Sequence, residues 1–173
     1  RALISLRHQD AVIELNVETE QLLWILASEK GWSKSRQSLL LKPVGDTQLP
    51  HRQHSAQWAS NGGLLLFDNG RSQSRVVNYL VDLSKRTVEQ TWTFEDDKPF
   101  FSSFLCDVDE LPNQTLQVTD GGRQSKGSFW ARILEIRRTE PGQKILELVY
   151  RASGRGCSIY RSQRIKSLYP ESL

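Results

Sequence analysis

Two of the three histidines in this 173-residue chain sit in segments that could do chemistry: Arg7-His8-Gln9 and Gln53-His54-Ser55-Ala56. An imidazole is partly neutral near pH 7 and can act there as a nucleophile or general base. An arginine fork is the natural clamp for a tetrahedral oxyanion such as sulfate or phosphate. His8, His54, Arg7 and Arg71, if carried to one rim, would therefore suit group transfer on such an anion. Arg71 closes the segment Asp68-Asn69-Gly70-Arg71, and Asp120-Gly121-Gly122-Arg123 repeats its pattern. Each residue also has a plainer reading. A loop histidine commonly makes surface hydrogen bonds, an arginine after a turn is commonly solvated, and Asp-Asn-Gly is a turn signal in its own right. His51, between Pro50 and Arg52, is read in that plainer way.

Other chemistries find less support. His51 and His54 are three residues apart, but they lie in a loop and no third metal ligand occurs at a suitable spacing after them. The pairs Asp107/Asp109 and Asp96/Asp97 could contribute to a calcium site, which needs about 6 to 8 oxygens, and that reading is disfavoured. No phosphate-binding glycine loop and no Gly-x-Ser-x-Gly motif occurs. Cys106 and Cys157 are too few for a disulfide framework or a thiolate zinc site; a single bridge is open to them, and two buried free thiols is the favoured expectation.

The elements that would position these residues read as strands. A short apolar run ending in polar or glycine-rich residues is followed by an alternating strand, a turn and a second strand. The pattern occurs three times, starting at Leu3-Ile4-Ser5-Leu6, at Gly63-Leu64-Leu65-Leu66-Phe67 and at Thr115-Leu116-Gln117-Val118. Self-similarity at this spacing predicts an all-β fold, a β-propeller, whose rings close with about 4 to 8 blades. The units are placed at about residues 3–30, 54–95 and 106–151, with an insert over 31–50 and a closing strand over 158–166 that would complete a ring. The insert is punctuated by Pro43, Gly45 and Pro50 and is expected to hold one helical turn near Arg36 to Leu41. Residues 95–103 and 121–126 read as irregular, the latter as a mobile connection, and Ser153-Gly154-Arg155-Gly156 as a turn. In a propeller, loops leaving equivalent strands converge on one rim, which is where His8 and His54 would meet.

Composition agrees with a soluble globular protein: 38% hydrophobic and 25% charged residues. The net charge of +3, from 23 basic and 20 acidic residues, is spread along the chain, so no nucleic-acid partner is expected. The longest apolar runs, Leu22 to Ala27 and Leu64 to Phe67, are far shorter than the roughly 20 residues of a membrane span. The sequence contains no methionine and enters a strand-like run directly after Arg1. The expectation is the C-terminal part of a longer protein, with about three blades present; a signal region would not fall in this stretch.

The run Leu6-Arg7-His8-Gln9-Asp10-Ala11-Val12-Ile13-Glu14-Leu15, followed by Leu23-Trp24-Ile25-Leu26 and Gly31-Trp32, resembles the bacterial arylsulfotransferases, which do not use an activated nucleotide sulfate donor. So does Gln53-His54-Ser55-Ala56 leading to Leu65-Leu66-Phe67-Asp68-Asn69-Gly70-Arg71, then Ser74-Arg75-Val76-Val77-Asn78-Tyr79 with Thr87-Val88 and Trp92. Asp107-Val108, Leu111-Pro112-Asn113, Tyr160-Arg161, Ile165 and Leu168-Tyr169-Pro170 extend the similarity. The resemblance implies a six-bladed propeller with a central site. It also implies sulfuryl transfer from a phenolic sulfate ester to a phenol through a sulfohistidine, by a ping-pong route, in the periplasm or outside the cell and without a cofactor. His54 matches an active-site histidine of the family and Arg71 its sulfate-binding arginine. His8 stands beside His54 as a catalytic candidate, and Arg7 and Asn69 beside Arg71 as sulfate-binding candidates. The family's nucleophile is expected after the Phe-Asp-Asn-Gly segment, yet no histidine occurs after His54, and Ser102-Ser103-Phe104-Leu105-Cys106-Asp107 offers serine or cysteine there. A non-catalytic propeller with a binding or scaffolding role is the second expectation. A quinone-dependent dehydrogenase would need a large flat cofactor pocket, for which no motif is present.

Overall fold

A computed structural model describes residues 1–96, 99–154 and 156–165. Outside the described residues lie Asp97 of the Asp96/Asp97 pair, Arg155 of the expected turn, the last residue of the expected closing strand, and Leu168-Tyr169-Pro170.

The described residues form three mainly antiparallel sheets, and no sheet among them closes on itself. The first holds β1 (Ala2–Leu6), β2 (Ala11–Asn16) and β3 (Gln21–Leu26). The second runs β5 (His54–Trp58), β6 (Leu64–Asp68), β7 (Arg75–Asp82) and β8 (Thr87–Phe94), with the short β4 (Lys42–Val44) parallel to β8 on its outer side. The third runs β9 (Asp107–Leu111), β10 (Thr115–Ser125), β11 (Ser128–Arg137) and β12 (Gln143–Tyr150). The all-β expectation therefore holds.

Local chemistry makes these hairpins. Asn16 Oδ1 accepts the N–H groups of Glu18 and Thr19 at 3.0 and 3.4 Å, and Glu20 takes a left-handed φ of 56°. At the corresponding place in the second sheet, Asp82 Oδ1 accepts from Ser84 and Lys85, both at 3.0 Å, and Arg86 has φ 55°. The same side-chain turn thus closes β2–β3 and β7–β8.

Packing explains the uninterrupted apolar run Leu64–Phe67. Leu65 and Phe67 face the third sheet, among Val108, Leu116, Val118, Leu134 and Ile136. Leu64 and Leu66 face the first, among Val12, Trp24, Leu26 and Tyr79. A strand covered on both faces has no solvent side to keep polar. Each such side chain contributes about 1.5–3 kcal/mol by burial. Glu14, buried in the first sheet, accepts the indole N–H groups of Trp24 at 2.9 Å and of Trp58 at 3.3 Å, which ties β2, β3 and β5 together. The edge strands β1 and β9 both lie against the edge strand β5, so the loops at their ends converge.

Four expectations are corrected. The insert's helical turn is α1 (Lys34–Gln37), earlier than expected, and the chain beyond it is no simple loop. Leu39 and Leu41 bond the backbone of Ile25 on the free edge of β3, at 2.9 and 2.8 Å, before β4 joins β8. The insert thereby stitches the outer edges of two sheets, and burial of Leu40 and Leu41 drives it. Residues 121–125, expected to be a mobile connection, belong to β10; a register shift between Asp120 and Arg123 accommodates Gly121 and Gly122. No strand forms over the described part of 158–166: the chain there meets β10 through isolated bonds, Ile159 N–H to Gly121 O at 3.1 Å and Ser162 N–H to Thr119 Oγ1 at 3.0 Å. Serine and arginine side chains take the place of a backbone ladder there. The fourth concerns the cysteines: both are free, but only Cys106 is buried.

Candidate functional site

The site is built where the ends of β1, β5, β6 and β9 meet. His54 opens β5 opposite Phe67, and the next residue, Ser55, has φ 55°, so the register shifts between His54 and Gln57. Such a bulge re-aims side chains at a strand edge. Ser55 Oγ turns to β9, where it donates to Val108 O at 3.1 Å and accepts from Val108 N–H at 3.2 Å. Gln53, fully buried, donates to Ala11 O at 2.7 Å and fixes the start of β5 to the first sheet.

His54 Nδ1 lies 2.6 Å from Asn69 Oδ1. The Asn69 amide is oriented from its other end, because Nδ2 donates to Ser102 O at 2.8 Å and lies 3.4 Å from Leu105 O. That assignment makes Oδ1 the acceptor, so the neutral imidazole carries its proton on Nδ1 and leaves the Nε2 lone pair unprotonated. Burial, chiefly, holds the His54 pKa below the ordinary histidine value; the Arg7 charge acts the same way, while the Asn69 bond, an Arg52 backbone bond and Asp107 act against it. A neutral imidazole is the form that can attack.

Behind Asn69 stands a chain of buried polar groups. Ser74 Oγ donates to Asn69 O at 2.8 Å and accepts from Ser102 N–H at 2.9 Å. Ser102 Oγ donates to Asp120, whose carboxylate also holds Arg132 Nε at 2.7 Å. Asp68 Oδ2 holds Arg75 Nε at 2.9 Å in the second sheet, just as Asp120 holds Arg132 in the third; each is a directly opposed cross-strand pair. Asp68 Oδ1 accepts the N–H groups of His51 at 2.8 Å and Gly70 at 3.0 Å, which ties the chain entering β5 to the chain leaving β6. Gly70 has φ 69°, and a Cβ there would meet Gln73 O at 1.8 Å, so only glycine fits.

The sequence candidates separate. Arg7 acts on His54 through its charge: its Nη2 donates to Ser103 O at 2.7 Å, its Nη1 lies 3.2 Å from His8 Nε2, and its buried Nε has no hydrogen-bond partner among the described residues. A buried orphan donor beside a neutral imidazole is available to an anionic oxygen. His8 itself is exposed and reaches the site through Arg7. Arg71 is exposed and lines a separate polar cavity of about 390 Å³ with Gln48, His51, Glu95 and Arg75. No contact among the described residues brings it to His54. His51 pairs with Asp10 across 2.6 Å, so the two histidines three residues apart serve different partners. Cys106, in the stretch expected to replace a histidine, is pushed up to about 12 by burial and by Asp120; a thiol in that state is no nucleophile at neutral pH. Sequence reasoning named Ser102 and Ser103 only as stand-ins for a histidine and Asp120 only within a repeated segment; it missed their supporting roles, and those of Ser74 and Arg132, which act through backbone or from the far side of Asn69. The only signal was the repeated Asp at 68 and 120.

The model of the arylsulfotransferase family (ASST) matches residues 1–161. The chain belongs to the arylsulfotransferase family. It is 32% identical over 151 residues to the arylsulfate sulfotransferase AssT of Escherichia coli O6:H1, covering 69% of this chain and 25% of the relative. It is 28% identical over 127 residues to the arylsulfate sulfotransferase AssT of Lelliottia amnigena, covering 57% of this chain and 21% of the relative. The chain thus spans about a quarter of the length of these relatives. Within the arylsulfotransferase chain, His54, Asn69 and Arg7 all fall inside the matched region. No described helix is long and apolar enough to cross a membrane.

Proposed function

We propose that His54 carries the sulfuryl group in a transfer from a phenolic sulfate ester to a phenol, independent of a nucleotide sulfate donor. The observation that carries this reading is the His54–Asn69 bond, which leaves Nε2 as the nucleophilic nitrogen. Nε2 attacks sulfur, the S–O bond to the aryl group breaks, and the phenolate leaves. The sulfohistidine keeps its Nδ1 proton on Asn69. An acceptor phenol then attacks sulfur, the N–S bond breaks, the acceptor's proton is released for the first phenolate, and neutral His54 is regenerated. Arg7, with its unpaired Nε, is the cation for the sulfuryl oxygens, whose charge it stabilises in the transition state. No metal or cofactor is needed for this balance.

The three stacked sheets are read as consecutive blades of a propeller, supported by the shared turn chemistry of Asn16 and Asp82 and the repeated Asp–Arg pairs. A periplasmic or secreted location goes with this reading and is tested by cell fractionation. For the activity, the full-length protein is given a chromogenic aryl sulfate without and then with phenol. Donor alone should leave a sulfuryl adduct on the peptide containing His54, detected by mass spectrometry, and phenol should discharge it. A folded protein that turns over no donor in a broad panel would sink the proposal and favour a binding propeller.

A further inference from the structure

The described chain after β12 crosses the third sheet as a strap. Cys157 N–H donates to Phe129 O at 3.0 Å on β11, Ile159 N–H to Gly121 O on β10, and Ser162 Oγ meets Thr119 Oγ1 at 2.6 Å and Gln117 Nε2 at 2.8 Å. β10 is shaped for it: a Cβ at Gly121 would stand 1.7 Å from Ile159 O. Between these anchors Arg161 reaches β9, with Nε 2.8 Å from Asp107 Oδ2. The contact is an ion pair without hydrogen-bond alignment, and Asp107 is only 2% exposed. A carboxylate so buried needs a compensating charge.

Asp107 lies between Cys106 and Val108 in the chain. Those two neighbours contact Asn69 Nδ2, through Cys106 Sγ at 3.7 Å, and Ser55, the residue next to His54. The charged groups around His54 are few. Arg7 faces it from the turn after β1 and Asp107 from β9. His8 touches Arg7; Asp109, two residues along β9 from Asp107, is pushed up by burial and by Asp107 and feels Arg161; the Cys106 thiol stays uncharged. Arg161 is thus the cation that answers the Asp107 carboxylate, whose charge acts on the imidazole.

We propose that Arg161 is a positioning residue for His54, holding the Asp107 charge in an ion pair so that the imidazole remains neutral and able to attack. The inference rests on the reading of His54 as the sulfuryl carrier. Without Arg161, an uncompensated carboxylate would favour the imidazolium, which has no Nε2 lone pair. The strap thereby couples the end of the described chain to the chemistry at the ends of β5 and β6.

The test uses the full-length protein with Arg161→Gln, Asp107→Asn, the double variant and Arg161→Lys. Two readouts are taken: the acid limb of kcat/KM on a chromogenic aryl sulfate, and the pH dependence of His54 modification by diethyl pyrocarbonate, which reacts with neutral imidazole, measured on the His54 peptide. Arg161→Gln should move both midpoints to higher pH and Asp107→Asn to lower pH; the double variant should return toward wild type and Arg161→Lys should stay near it. Opposite shifts are what a merely structural strap cannot give. Loss of activity with an unmoved modification midpoint, or shifts in one direction for both single variants, would overturn the proposal. A moved modification midpoint with an unmoved kinetic limb would uphold the charge relationship and instead overturn His54 as the carrier. Should Arg161→Gln fail to fold, Asp107→Asn decides alone: a downward shift supports the pairing, and an unchanged or upward one refutes it.

Discussion

Asn69 Oδ1 sits 2.6 Å from His54 Nδ1, and the amide cannot turn over because its nitrogen is committed to Ser102 O. The imidazole's tautomer is therefore set by a carbonyl in the connection between β8 and β9. Replacing Asn69 by Asp keeps the size and adds a charge. The carboxylate would favour the imidazolium, so the acid limb of kcat/KM should move to higher pH while the basic side is unaffected. A pH–rate profile on an aryl sulfate checks this; an unshifted limb would separate Asn69 from the proposed sulfuryl carrier.

The native protein should keep its activity at pH values where an ordinary histidine is already protonated. Burial lowers the His54 pKa, so just below the usual 6.5 the imidazole remains largely neutral, and activity falls only as pH drops through the depressed value. Diethyl pyrocarbonate modification of the His54 peptide, followed against pH, should then show a midpoint below the usual 6.5.

Arg7 and Arg71 make opposite predictions. Arg7→Ala removes the guanidinium with the unpaired buried Nε and should lower kcat by about 10²–10³, the cost of losing one donor to a developing oxyanion. Arg71→Ala alters an exposed side chain in another cavity and should change kcat by less than about tenfold, since it removes no donor to that oxyanion. Initial rates with a chromogenic aryl sulfate separate the two. A severe loss at Arg71 with little at Arg7 would reverse the assignment.

Much of the framework was legible in the sequence because strands write their pattern locally. The alternation in Val76–Val81 and the apolar run Leu64–Phe67 each announce their own conformation. His54, Asn69 and Arg7 were legible as residue types at strand ends. What failed was pairing across distance. Arg7 and Arg71 look alike in sequence, and only the convergence of β1 on β5 decides which one acts on His54 by its charge. The bulge at Ser55 has no glycine to mark it, and the strap from Cys157 onward holds by isolated backbone bonds and serine contacts rather than by an alternating pattern. The carbonyls of Ser102 and Ser103, which orient Asn69 and Arg7, are invisible to any reading of side-chain type.

Leu66 offers the test of the stacked-sheet core. It is fully buried on the interior strand β6, between Val12, Trp24 and Tyr79. Leu66→Ala removes its contacts and leaves a cavity that strands held by ladders on both sides can only partly close. The expected loss is about 2–5 kcal/mol. The same strand leads directly into Asp68 and Asn69, so the damage should reach the site through backbone position rather than through charge. Urea unfolding monitored by tryptophan fluorescence should show a lower midpoint, and, under the proposed activity, the folded variant should retain the wild-type acid limb with a reduced kcat. A variant as stable as wild type would mean that β6 is not packed between two sheets. A shifted acid limb would mean that the His54 environment depends on core packing as well as on Asn69, Arg7 and Asp107.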